Sequence, residues 1–283
     1  RLRTVTGVQT CALPIYGWIA NVTVNAQPAK WLNLMAAYTH TVAKDVTGMP
    51  GSNAESAFTY VPTVEGPNNI KLHNSQYTTP DRLVASLTAH DKSGNHYSII
   101  YEGWRGGANY SFMTVNDING DGYNYDAIYV PTDNDVATNQ FRFVSEDDKT
   151  RFMDYVHSNS YLKGQQGKYA EAYSVYSPWV NRVDFSYKHD FVVKTKSTKN
   201  TLQLSFDIKN VMNLFNSNWG VAKYLNPEIG SEARILKYEG VDAEGVATFS
   251  TPASINGNTQ TFTPSYSLGQ TWYALVGVKY IFN

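Results

Sequence analysis

Hydrophobic and polar residues alternate with a period of two along several long stretches of this chain. The clearest is TLQLSFDIK, Thr201–Lys209, where Leu202, Leu204, Phe206 and Ile208 interleave with Thr201, Gln203, Ser205, Asp207 and Lys209. In TWYALVGVKYIF, Thr271–Phe282, one face is wholly apolar: Trp272, Ala274, Val276, Val278, Tyr280 and Phe282. NRVDFSYKHDF, Asn181–Phe191, sets Val183, Phe185, Tyr187 and His189 against Arg182, Asp184, Ser186, Lys188 and Asp190. Four further segments repeat the pattern less cleanly: Gly17–Ala26, Trp31–Thr41, Asp81–Asp91 and His96–Trp104. Successive strand side chains point to opposite faces, so this alternation predicts strands rather than helices. Seven long strands are expected.

Their connections alternate in length. Gln27–Lys30, Lys92–Asn95 and Lys194–Asn200 are short, whereas Val42–Pro80, Arg105–Pro178 and Val211–Gly269 are long. Strands of about 9–11 residues, aromatic at their ends, with short turns at one rim and long loops at the other, describe an outer-membrane β-barrel. A soluble β-sandwich also alternates, but its strands usually run about 5–6 residues. Seven strands do not close a barrel, and an open edge in lipid leaves backbone donors and acceptors unpaired. The expectation is therefore an all-β transmembrane antiparallel barrel fragment with long extracellular loops.

Composition agrees with this picture. Of 283 residues, 42% are hydrophobic and 17% charged, which excludes a disordered chain. The mean hydropathy is −0.38, a value that barrel strands allow because only half their residues meet lipid. No apolar run reaches the roughly 18 residues of a membrane-spanning helix. A net charge of −1 gives no footing for nucleic acid.

The first residues do not fit. Val5–Ile15, VTGVQTCALPI, holds the only cysteine, Cys11, and neither alternates nor resembles a signal peptide, since Thr6, Gln9 and Thr10 interrupt any apolar core. Back-translated with one choice of codons, it matches a sequencing-library adapter read in frame, and the adapter's last T suits the codon of Tyr16. Residues 1–15 are accordingly read as a non-native, adapter-derived segment and 16–283 as the protein's own, beginning within something larger.

Several blocks carry a family likeness: NDINGDGYNYDAIYVP (Asn116–Pro131), LKGQQGKYAEAYSVYSPWVNRVDFSYKHDF (Leu162–Phe191), LSFDIKNVMNLFNSNWG (Leu204–Gly220) and the terminal GVKYIF. From Tyr16 onward the chain resembles the C-terminal third of TonB-dependent outer-membrane receptors, in their Oar-like and SusC-like branches. It departs from the family's pattern at Ala172-Tyr173, where Arg-Asn often follows Tyr-Ala-Glu. The resemblance implies a 22-stranded barrel in the bacterial outer membrane, closed around an N-terminal plug. It would import a nutrient bound at the extracellular loops. Its implied partners are the TonB complex through an upstream part, outer-membrane lipids, the barrel-assembly machinery and a surface lipoprotein. Tyr280 and Phe282 would be the barrel-assembly signal, with Asn283 as an overhang. The alternatives are a plug-less porin-like channel or adhesive barrel, and a soluble β-rich carbohydrate-binding module.

Candidate chemistry is sparse. Asp117-Ile118-Asn119-Gly120-Asp121-Gly122 has the D-x-[DN]-x-D-G start of a calcium loop. Ile128 stands at loop position 12, so Asp117, Asn119 and Asp121 would need Asp126 as their fourth ligand; otherwise the loop folds on Asx turns alone. Ser145 with Asp148 three residues on predicts a helix N-terminus, and Phe152, Tyr155 and Val156 a helix ending near Ser158 that packs a loop over the barrel mouth. The loops also hold Tyr110, Tyr123, Tyr129, Tyr173, Tyr176, Trp179, Trp219 and Tyr224. Among these, Tyr110, Tyr123, Trp179 and Trp219 are the candidate ligand contacts, since aromatics favour recognition surfaces; self-packing accounts for most of the others. The six histidines are scattered without the helical i, i+4 spacing of a zinc site, and no hydrolase or P-loop motif occurs. Asp184, Lys188, Asp190, Asp207 and Lys209 share one face and are expected to form a salt-bridged wall. The reading is not enzymatic.

Overall fold

The computed structural model describes residues 3–12 (backbone only), 16–46, 52–107, 109–195, 198–230 and 232–282. Eight long strands form one sheet in chain order, each antiparallel to the next: β1 (Arg3–Ala12), β2 (Tyr16–Ala29), β3 (Leu32–Asp45), β4 (Asp81–His90), β5 (Asn95–Arg105), β6 (Val180–Lys194), β7 (Lys199–Lys209) and β8 (Tyr273–Phe282). All seven strands expected from alternation are present. β3 continues past Thr41 to Asp45, where its end pairs with His73–Asn74. The described strands do not close into a barrel; β1 and β8 are both edges.

β1 was not expected as a strand. It pairs with β2 over ten residues, from Arg3 opposite Asn25 to Ala12 opposite Tyr16. A backbone ladder does not require alternating side chains, so a non-alternating segment can complete the neighbouring edge. Asn283 lies outside the described residues.

The register aligns the apolar positions across the sheet. Ala26, Leu34, Leu87, Ile99, Phe185, Ile208 and Ala274 form a continuous row over seven strands, each directly opposite the next. A second row runs Leu32, Ala89, Tyr97, Tyr187, Phe206, Val276. The other face carries Asn33, Thr88, Ser98, Ser186 and Asp207 in the same manner. On this polar face Lys209 Nζ lies 2.7 Å from Asp184, and His96 Nε2 3.1 Å from Asp190. Gln203 Nε2 donates to the second oxygen of Asp190 at 2.7 Å. Of the five residues expected to form a salt-bridged wall, Asp184 and Lys209 pair with each other and Asp190 is held by His96 and Gln203, while Lys188 and Asp207 have no ion pair among the described residues.

The apolar face is not a core. Leu204 is 39% exposed, Phe206 40%, Val276 80% and Val278 68%. The buried hydrophobic core is built from the second and third long connections, between Phe112 and Val175 and between Leu225 and Ile255; the first buries Ala57 and Val61 outside that cluster. A helix α1 (Glu146–Ser158), capped by Ser145 Oγ accepting from Asp148 N, buries Phe152, Met153, Tyr155 and Val156. These pack with Phe112, Ile128, Val130, Leu162, Ile235, Leu236, Phe249 and Ile255. Phe141 stacks on Phe249 with ring centroids 4.4 Å apart. Burying each such side chain stabilises by roughly 1.5–3 kcal/mol. The helix appears where expected, ending at Ser158, and packs the loops as a wall of a core that two of them share.

Two asparagines bind the last loop to the sheet. Asn210, in the left-handed region at φ 51°, turns the chain out of β7, and its N–H donates to Asp184 Oδ1. Asn213 Nδ2 donates to the carbonyls of Ser217 and Trp219, and its Oδ1 accepts from Trp272 N. The NVMN sequence is therefore a structural clasp between β7 and β8. Beside the C-terminal end of β3, Asn74 Nδ2 donates to Ser174 Oγ at 2.8 Å, joining the first and second long loops.

Candidate functional site

The loop unit contains a hollow of about 240 Å³ lined by Tyr60, Tyr110, Tyr125, Tyr173, Asn109 and Glu232 among others. Tyr60 and Tyr125 stack, their ring centroids 4.9 Å apart at 18°. Tyr125 Oη donates to Glu232 Oε1 at 2.6 Å, and Arg234 holds the other Glu232 oxygen at 2.7 Å while lying over the Tyr125 ring. Burial first, and then the hydrogen bond to Glu232, push the Tyr125 phenol upward. Burial does the same for Tyr173. Both are therefore neutral donors at ordinary pH.

Tyr173 is held at φ 52°, a strained conformation for an aromatic residue. Its N–H donates to Ser111 Oγ at 2.7 Å, which fixes it. Asn109 Nδ2 donates to the carbonyls of Ser75 and Thr78, which orients the amide. Among the described residues its Oδ1 has no donor, and neither has Oε1 of Gln76, another lining residue. The arrangement offers aromatic faces and polar groups for binding.

Of the four aromatic residues expected to touch ligand, only Tyr110 lines this hollow; it is half-buried and packs toward Phe262 at 6.0 Å. Tyr123, Trp179 and Trp219 are exposed at separate places, and Trp219 belongs to the Asn213 clasp. Tyr60, Tyr125 and Glu232 were not singled out from the sequence. They lie far apart along the chain, and no spacing links them.

The Asp117–Asp126 loop is closed by its own side chains. Asp117 accepts from the N–H groups of Gly120 at 2.7 Å and Gly122 at 2.8 Å. Asn119 Oδ1 accepts from Asp121 N, and Asp121 Oδ1 from Tyr123 N. Asp126 accepts from Ile118 N at 2.9 Å and Asn119 Nδ2 at 2.7 Å. Gly120 and Gly122 have φ of 78° and 88°, which accounts for both glycines. Asp117 and Asp126 thus engage both carboxylate oxygens with N–H donors. Among the described residues no group of three or more His, Cys, Asp or Glu side chains gathers as a metal site. Burial, opposed by the Ile118 N–H and reinforced by Asp121 and Asp117, pushes the Asp126 carboxyl up to about 6.

Tyr280 and Phe282 end β8 on the apolar face, exposed, with rings 6.1 Å apart. Tyr280 stands opposite Leu202 and Phe282 opposite Asn200. No family model, curated protein or solved structure matches the chain.

Proposed function

We propose that the chain is the C-terminal part of the barrel of a TonB-dependent outer-membrane receptor, which binds a nutrient at its outer loops and passes it along a polar bore. One observation carries the reading: the aligned apolar rows, with Leu204, Phe206, Val276 and Val278 among them, are left unburied while the buried core lies in the loops. A water-soluble protein rarely exposes an apolar surface of more than a few hundred Å², whereas a bilayer requires one. The polar face then lines the bore. Further strands of the same barrel would pair the open edge of β8 and the edge of β2 that β1 covers here, since lipid does not tolerate an open edge.

The loop unit supports the receptor part of the proposal. It is preorganised around its own core, and its tyrosine-lined hollow offers recognition surfaces. The test is transfer of the full chain from urea into preformed lipid vesicles or into buffer. Protease-protected strands and β-structure in vesicles, the open sheet edges closing against other copies of the chain, are expected, with aggregation in buffer. A monodisperse, soluble monomer without lipid or detergent would overturn the proposal in favour of a soluble binding module.

A further inference from the structure

A second hollow, of about 440 Å³, lies where the polar face of the sheet meets the last long loop. From the sheet it takes Trp104 and Arg182; from the loop it takes Lys223, Tyr224 and Gln270. Trp104 and Arg182 share the face that carries Ser186 and Lys188, because their positions on β5 and β6 differ from these by even numbers. The hollow therefore stands at the entrance to that face, below the loop unit.

Its charge is one-sided. The guanidinium of Arg182 lies 5.2 Å from the Trp104 ring centroid, and its Nε donates to the Gly220 carbonyl at 2.9 Å. One terminal nitrogen reaches Gln270 Oε1 at 3.5 Å, leaving Nη1 without a protein acceptor among the described residues. Glu102 stands directly across from Arg182 but is paired with Arg82. Lys223 is exposed and has no ion pair among the described residues. No Asp or Glu lines the hollow. Gly106 and Gly107, at φ 84° and 102°, keep part of its wall free of side chains.

We infer that this hollow binds a small anion bearing a flat apolar face, with Arg182 and Lys223 holding the negative group and Trp104 and Tyr224 the flat face. A planar guanidinium already stacked on an indole loses little freedom on meeting a carboxylate or phosphate. The inference names the ligand class of the proposed receptor, and so rests on that reading for its physiological role, though the binding itself does not.

The test uses the full chain in detergent micelles, titrated calorimetrically with phenyl phosphate, inorganic phosphate, benzyl alcohol and benzylamine. Phenyl phosphate should bind saturably and more tightly than inorganic phosphate, and the neutral and cationic compounds should not bind. Lys223→Gln should weaken phenyl phosphate binding by roughly tenfold, the scale of a lost charge-assisted hydrogen bond, and 0.5 M salt should weaken it further. Arg182→Lys should lose the advantage of phenyl phosphate over inorganic phosphate, since it removes the stacked plane but keeps the charge. Because Arg182 also holds Gly220, the exposed Lys223 variant is the deciding one. Equal binding of benzyl alcohol, or an affinity unchanged by Lys223→Gln, would overturn the inference. Vesicle insertion without anion binding would sink this inference alone; anion binding without insertion would sink the membrane reading alone.

Discussion

Replacing Asp126 by Asn should remove a pH dependence that the wild-type loop unit shows between about pH 4 and 6. Asp126 is 1% exposed, and burial together with the nearby Asp121 and Asp117 carboxylates holds its proton up to about pH 6, against an ordinary value of 3.8. Below about pH 4 the group is protonated whether the loop is folded or unfolded, and it adds nothing to the pH dependence. Between about 4 and 6 the unfolded chain releases the proton while the folded loop keeps it, so stability falls with rising pH by up to about 1.4 kcal/mol per unit. Above about pH 6 both states are ionised and the whole penalty, about 3 kcal/mol, is present. The wild-type loop unit is therefore more stable at pH 4.5 than this group allows at pH 7.5. The Asn variant lacks that term, although it gives up the carboxylate oxygen that accepts from Asn119 Nδ2. Urea unfolding followed by the near-ultraviolet tyrosine signal, in detergent at several pH values, measures the difference between the two proteins. Identical pH profiles, or a wild type that gains stability relative to the variant as pH rises, would refute the account of Asp126.

Two further substitutions probe the sheet and the loop core separately. Val276→Arg, on the exposed apolar face of β8, should lower vesicle-folded stability by about 2–4 kcal/mol if it lies near the bilayer centre, whereas Gln203→Arg on the polar face should change it by less than about 1 kcal/mol. Equal costs, measured by urea titration of the vesicle-inserted protein, would contradict the assignment of faces. Phe152→Ala in α1 should cost about 3–5 kcal/mol in the loop unit, because Phe152 is fully buried against Phe143 and the shared core; limited proteolysis should then open the loops while the sheet stays protected. Cleavage of sheet and loops together would show that the two are not separable.

The sheet was legible because its signal is local. Leu202 to Ile208 alternate without a fault, so strand, face and approximate ends follow from nine residues. The end of β3 was missed because alternation fades at Thr41, and Val42–Asp45 are held by pairing with β2 and with His73–Asn74, far along the chain. Of the loop core only the helix with Phe152, Tyr155 and Val156 was legible. Its strands are two to eight residues long, as in Arg142–Phe143 beside Thr248–Phe249, too short or too interrupted for a period to show. Phe112, Phe152 and Phe249 meet only after two separate loops have folded together. The Asp117–Gly122 turn could be read, since aspartates and glycines at these offsets encode Asx turns, but the same letters spell the opening of a calcium loop. The Tyr60–Tyr125 stack and the Arg182–Trp104 plane depend on tertiary approach, which no spacing encodes.

The most direct measurement is a single-cysteine scan of residues 201–209, with Cys11 replaced by Ser, each spin-labelled and tested in vesicles for collision with oxygen and with a water-soluble nickel complex. Labels at 202, 204, 206 and 208 should favour oxygen and those at 203, 205 and 207 nickel, with a period of two. Loss of that alternation, or shielding of 204 and 206 from both reagents in a lipid-free soluble protein, would contradict it.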